Sequence, residues 1–165
     1  MKDTVARADA MAAWKHNGQF RKDGRTPYVE HPRAVMRIVR DEFEVDDPET
    51  LATALLHDTI EDTTTDYDEV AEAFGERVAD GVALLTKDKR LPEKRREREY
   101  FAGLAQAPSR VKLVKCADSL HNLRDSGAGK RPKAEEKARK LLALFKGDPA
   151  LRKALALLRA ELGRD

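Results

Sequence analysis

The stretch Leu51-Ala52-Thr53-Ala54-Leu55-Leu56-His57-Asp58-Thr59-Ile60-Glu61-Asp62 changes character halfway along. Its first half carries Leu51, Ala54, Leu55 and Leu56, an apolar run of the kind that buries a helix in a core. Its second half sets His57, Asp58, Glu61 and Asp62 directly against that run. An imidazole and three carboxyls in such a place are costly unless they are paired or bound to a cation. His57 and Glu61 stand four apart, as do Asp58 and Asp62, so on a continuous helix each pair shares a face. The reading is a helix over 48–60 whose end faces a metal ion.

Two further clusters point the same way. Residues 111–125 read Val-Lys-Leu-Val-Lys-Cys-Ala-Asp-Ser-Leu-His-Asn-Leu-Arg-Asp. Val111, Leu113, Val114, Ala117, Leu120 and Leu123 mark a deeply placed helix, while Asp118, His121, Asn122 and Asp125 fall on one polar stripe. Upstream, Tyr28-Val29-Glu30-His31-Pro32 places a histidine just before the first turn of another helix. His31, His57, Asp58 and Asp118 together make a set of two imidazoles and two carboxylates. With no thiolate among them, the set favours Mn2+, with Fe2+ or Zn2+ as alternatives. Four ligands on a six-coordinate ion leave room for reacting groups, which marks a catalytic site rather than a closed structural one.

The rest of the chain reads as an all-α fold, a bundle of about eight or nine helices. They are expected over roughly 3–16, 31–43, 48–60, 66–74, 76–86, 92–106, 108–125, 131–146 and 149–163. Asp47-Pro48 and Asp148-Pro149 place a capping side chain before a first-turn proline. Asp66 and Glu69 form a capping-box pattern, and Gly75 and Gly147 sit where helices stop. Strand signals are nearly absent. The charged run from Lys87 to Arg98 reads as a solvated helix face. Ser126 to Pro132 reads as a loop leading to a C-terminal helical pair over about 131–163, which either completes the core or forms a dimer face. Residues 1–165 are expected to form a single domain with its metal core over about 3–125. His16 reads as a helix-end or surface histidine, and Trp14, Phe20 and Cys116 as core. His121 either orients Asp118 or simply packs.

Composition narrows the class of function. The 165 residues carry 32 basic and 30 acidic side chains, a net charge of +2. That excess does not make the footprint of a duplex nucleic-acid binder. The single cysteine suits a reducing compartment. No apolar signal sequence or membrane span is legible, so a cytoplasmic protein is expected.

The order His31, His57-Asp58, Asp118 resembles the signature of the HD-domain phosphohydrolases. Residues 18–24 (Gly-Gln-Phe-Arg-Lys-Asp-Gly), 27–32, 55–63 and 114–125 are similar to the hydrolase domain of RelA/SpoT proteins, and the stretch 85–98 to its short stand-alone members. The resemblance covers roughly residues 3–125. It implies an HD-type helical bundle and a hydrolase that removes the 3′-pyrophosphate from (p)ppGpp-type alarmones of the stringent response, giving GDP or GTP. Alternatives on the same site are a (p)ppApp hydrolase or an NADPH 2′-phosphatase. A non-catalytic nucleotide-binding module should have lost a ligand or the Glu61-Asp62 pair, and neither is missing.

The resemblance also implies roles. His31, His57, Asp58 and Asp118 would hold one Mn2+, and Glu61 and Asp62 would orient and deprotonate the attacking water. Arg21, Lys22 and Asn122 would contact the nucleotide. Asp125 stands where long members usually carry threonine and short ones aspartate. Lys22, Lys112, Lys115 and Arg124 are the basic candidates for neutralising the pyrophosphate, and spacing does not rank them. The partner is a small nucleotide, and the protein a monomer or homodimer.

Overall fold

In the computed structural model, which describes residues 2–164, the chain is built from α-helices, and no strand forms among the described residues. An isolated antiparallel bridge joins Phe20 to Pro27. The helices are α1 (Lys2–Lys15), α2 (Glu30–Arg37), α3 (Pro48–Leu56), α4 (Thr59–Asp62), α5 (Tyr67–Phe74), α6 (Glu76–Leu84), α7 (Glu93–Gln106), α8 (Ser109–Asp125), α9 (Arg131–Leu144) and α10 (Arg152–Leu162). Among the described residues no helix is long and apolar enough to cross a membrane.

The caps work as local chemistry dictates. Asp47 accepts a hydrogen bond from the Thr50 backbone N–H at 3.1 Å, and Asp66 accepts from that of Glu69 at 2.9 Å. The Glu69 carboxylate does not complete a capping box, because it turns to Lys15 at 2.7 Å. Asp148 caps a single 3-10 turn over Pro149–Leu151 before α10 begins.

Two predicted helices depart from a regular α-helix, one of them at the candidate site. The helix expected over 48–60 stops at Leu56 and resumes as α4. The His57 Nδ1–H group donates to the Ala54 carbonyl at 2.7 Å, and the Thr59 hydroxyl to that of Leu56, also at 2.7 Å. Those carbonyls would otherwise accept from the next helical turn, so the two side chains end the ladder there. The expected helix over 31–43 widens into a π turn at Ile38–Glu42, closed by a 2.9 Å bond from the Phe43 N–H to the Ile38 carbonyl.

α8 lies at the centre, packed against α2, α3, α9 and α10. Its Val111, Val114, Leu120 and Leu123 share one buried cluster with Val35 and Val39 and with Leu141, Phe145, Leu155 and Leu158. The C-terminal pair therefore completes the core. A second cluster joins Ala8 and Ala12 of α1 to Leu55 and Leu56 of α3 and to Val78 and Val82 of α6. α3 is buried from Thr50 through Leu56, which fixes where His57 emerges. Each fully buried leucine contributes about 1.5–3 kcal/mol through the hydrophobic effect.

Trp14 and Phe20 are not core residues: they are 67% and 54% exposed. The helical face that buries Ala8 and Ala12 leaves Trp14 outside. Cys116 is fully buried, as its apolar surroundings require.

The contact between α3 and α6 depends on Gly81. A methyl group there would meet the Thr53 side chain at 2.9 Å and Arg110 Nη1 at 3.0 Å. Gly81→Ala should therefore destabilise the protein by about 1–3 kcal/mol through overpacking, despite a helix-propensity gain of about 1 kcal/mol. Urea denaturation checks this, and a more stable variant would contradict it.

Candidate metal centre

Three elements deliver imidazole and carboxylate groups to one spot. His31 comes from the first turn of α2, His57 from the break after α3, and Asp118 from the middle of α8. Their ligand atoms all lie within 4.8 Å of one another, and all three residues are buried. His31 Nε2 is 3.0 Å from Asp118 Oδ1, and His57 Nε2 is 3.8 Å from it. Asp58 borders the group: its Oδ2 is 3.1 Å from His57 Nε2 and 3.7 Å from His31 Nε2, and accepts from the Tyr28 hydroxyl at 2.7 Å.

The donor chemistry fits a cation. His57 directs its Nδ1–H to Ala54, which leaves the Nε2 lone pair pointing inward, and this buried atom has no hydrogen-bond partner. His31 Nδ1 is 2.7 Å from Nδ1 of His121. Burial, with His31 and Arg21 nearby, lowers the His121 pKa to about 4. A neutral His121 accepts from the His31 Nδ1–H, so the His31 Nε2 lone pair also faces the centre. His121 thus contacts His31 rather than orienting Asp118.

Two lone pairs and two carboxylates converging in a buried space repel one another unless positive charge lies between them. Burial opposes the charged form of His57, yet Asp58 and Asp118 outweigh it and push its pKa up to about 9, so without a cation a proton takes up the Nε2 lone pair that a cation would otherwise engage. Burial likewise opposes ionisation of Asp118, but Lys115 and His31 hold it well below the usual carboxylate range. The Lys115 ammonium lies 2.8 Å from Asp118 Oδ2.

The group lies in a cleft of about 670 Å³. Glu61 and Asp62 line it, each held by the loop before α7. The Lys87 backbone N–H donates to Glu61 Oε1 at 2.7 Å, and the Lys89 ammonium pairs with Asp62 Oδ1 at 2.7 Å. Burial raises the Glu61 pKa, the Lys87 N–H opposes this, and the Asp58 and Asp62 carboxylates raise it further. The charged run from Lys87 is therefore not merely a solvated face: its first residues clamp the acidic pair.

The other predicted contacts divide. Arg21 Nη2 donates to Asp125 Oδ2 at 2.8 Å and to Asn122 Oδ1 at 3.3 Å, and its guanidinium carbon lies 5.7 Å from the Tyr28 ring centre. Asn122 also donates to Asp118 Oδ1 at 2.9 Å, linking Arg21 to the metal group. Arg21, Lys22 and Asn122 line the cleft, and Asp125 stands behind Arg21. Lys112 does not line it. Three positions before Lys115 on α8, it faces the C-terminal pair, 3.6 Å from Asp148 Oδ2. Arg124 pairs with Glu42 and Glu161, also away from the cleft.

His16 closes α1 but is only 2% exposed; its ring packs 4.8 Å from that of Tyr28. Its Nδ1 is 2.8 Å from Gln19 Oε1, and Gln19 donates to the Asp62 carbonyl at 2.8 Å. Sequence reasoning assigned no role to Tyr28, Lys87, Lys89 or the α9 lysines that line the cleft. Only the helical spacing of Lys133, Lys137 and Lys140 could have signalled the last group.

Comparison with known proteins agrees with this geometry. A family profile described as HD domain matches residues 8–147. The guanosine-3′,5′-bis(diphosphate) 3′-pyrophosphohydrolase MESH1 of Danio rerio is 47% identical over 115 residues, 69% of this chain and 64% of that protein. The MESH1 of Xenopus tropicalis is 43% identical over 122 residues, 73% of this chain and 68% of the relative. The chain thus spans only 64% and 68% of the length of these two curated relatives. A solved structure of a metazoan orthologue of SpoT, which hydrolyses ppGpp and plays a role in starvation responses, is 32% identical with a TM-score of 0.83. That match covers 97% of this chain and 96% of the other. The chain belongs to the HD-domain family and is similar, within it, to the metazoan orthologues of SpoT.

Proposed function

We propose that this chain is a divalent-metal-dependent hydrolase that removes the 3′-pyrophosphate from (p)ppGpp-type nucleotides, giving GDP or GTP and pyrophosphate. The observation that carries the reading is the convergence of His31, His57 and Asp118, with Asp58 beside them, in a cleft that Glu61 also lines. Relatives named for this activity, 47% and 43% identical to the chain, support it.

In this reading His31, His57, Asp58 and Asp118 hold one ion, with Mn2+ favoured because half the donors are carboxylates. When bound, such an ion would supply Lewis-acid polarisation and lower the pKa of a water. Glu61, half-buried and poorly solvated, is placed to take a proton from the attacking water. The water oxygen bonds to the 3′-phosphorus, the P–O3′ bond breaks, and the proton ends on O3′ of the nucleoside. Asp62, tied to Lys89, positions the α4 turn that carries Glu61. Lys115 offsets charge beside Asp118. Arg21, Lys22 and Asn122 hold the nucleoside, with Asp125 orienting the guanidinium. The buried core shared by α2, α8, α9 and α10 supports reading residues 1–165 as one hydrolase domain. The lone buried cysteine accords with a cytoplasmic setting.

The test is to incubate Mn2+-loaded protein with ppGpp, ppApp and NADPH and resolve the products. Release of pyrophosphate from ppGpp, with slower or no turnover of the other two, is expected. Absence of ppGpp turnover in protein shown to contain metal would overturn the reading.

A further inference from the structure

Lys133, Lys137 and Lys140 occupy one stripe of α9, and all three line the cleft that holds the metal group. Their setting differs from that of Lys87 and Lys115 in the same cleft. Lys87 pairs with Glu97 at 2.6 Å and Lys115 with Asp118 at 2.8 Å. Among the described residues, no carboxylate lies within 4.0 Å of Lys133, Lys137 or Lys140. Lys140 is laid over the Phe101 ring, its ammonium 3.7 Å from the ring centre, which fixes the side chain without neutralising it.

Like charges spaced three and four apart on a helix repel, and these three are left to do so. Burial lowers the Lys137 pKa, and the neighbouring Lys87, Lys115 and Lys133 lower it further. Glu97 is near Lys137 and Lys140 as well, but its carboxylate is committed to Lys87. Glu93, Glu97 and Glu136 line the same cleft but none closes an ion pair with the stripe, whereas a bound polyanion would neutralise it directly. A substrate of the proposed type brings more phosphate charge than one metal ion and Lys115 can offset.

We propose that Lys133, Lys137 and Lys140 form a phosphate subsite that takes the nucleotide's second arm, the 5′-polyphosphate, while the 3′-phosphorus lies at the metal group. The α9 stripe would then be the specificity device of the cleft, selecting nucleotides that carry phosphate at both ends. This inference rests on the function proposed above.

The experiment has two arms. In the first, calorimetry compares GDP with guanosine binding to the Mn2+-loaded protein and to the double variant Lys137→Met with Lys140→Met. Methionine keeps the aliphatic stem on an exposed helix face, and an unchanged melting temperature confirms the fold. The GDP preference should fall by on the order of a hundredfold, since each lysine loses a charge-assisted contact. Lys137→Arg with native Lys140 should keep it. Arg139→Met removes the same charge from the exposed side of α9, where Arg139 is 3.5 Å from Glu135, and should leave binding unchanged. In the second arm, KM is compared for ppGpp and for a guanosine 3′-diphosphate without 5′-phosphate. The double variant should raise KM for ppGpp alone, with kcat held within a few-fold.

Equal loss from Arg139→Met, or equal KM changes for both substrates, would overturn the subsite. So would an unaltered GDP preference in the double variant, and if ppGpp turnover were intact the proposed function would stand. Lysine-dependent GDP binding in a protein that does not turn over ppGpp would support the subsite and remove the function.

Discussion

Replacing Asp118 by asparagine is expected to leave the purified protein without bound divalent metal and to lower kcat for ppGpp by at least about a thousandfold. Asp118 is the only predicted ligand on α8. Its Oδ1 lies 3.0 Å from His31 Nε2, and its Oδ2 lies 2.8 Å from Lys115. Asparagine keeps the shape and one acceptor but removes the charge that draws a cation into a buried space. It also leaves the largely buried Lys115 ammonium without its counter-ion, at a cost of about 3 kcal/mol. The variant should therefore melt at a lower temperature as well. The two effects can be separated. Adding Lys115→Met should restore much of the lost stability, because the stranded charge is gone, without restoring the metal. Elemental analysis and thermal melting read the two outcomes independently. A variant that kept both its metal and its rate would remove Asp118 from the site.

Glu61→Gln is expected to lower kcat by roughly a hundred- to ten-thousandfold, the range for loss of a general base, while leaving the metal in place. Only the ionised carboxylate can accept a proton. Burial, with Asp58 and Asp62 adding to it, places the Glu61 pKa above its ordinary value of 4.5. The rate should therefore be lost as pH falls through that raised value, before ordinary glutamates titrate. Glu61→Gln should remove this acid limb from the residual rate. Asp62→Asn should cost less, because the Asp62 carboxylate is already engaged by Lys89 at 2.7 Å. A larger effect at Asp62 than at Glu61 would reverse the assignment of the base.

Much of the fold was readable because helix signals are short-range. Asp47, Asp66 and Asp148 act on backbone groups two or three positions away, so their caps are visible in the chain itself. The leucine spacing of α8, α9 and α10 likewise marks which face turns inward. The helix expected through His57 failed for a reason equally local but harder to foresee: a side chain competes with the next turn for a carbonyl only when tertiary packing holds it there. That break alters the candidate site, since His57 and Glu61 do not share the face of one continuous helix.

The chain by itself determined that it is helical and which imidazoles and carboxylates sit among apolar runs where only a cation would stabilise them. Those are matters of period and burial cost within a few residues. Tertiary structure decided which charges meet. Lys115 meets Asp118 at the local i,i+3 spacing, but Lys112, three positions earlier on the same helix, meets Asp148 only through the fold. The bond from Lys87 to Glu61, the His31–His121 contact and the Arg21–Asp125 pair each join distant segments. The turn of α9 towards the metal group is of the same kind. No spacing rule reaches across such separations. They are set by how α8 packs against α2, α3 and α9, which makes a cleft from residues that look like ordinary helix surface in the sequence.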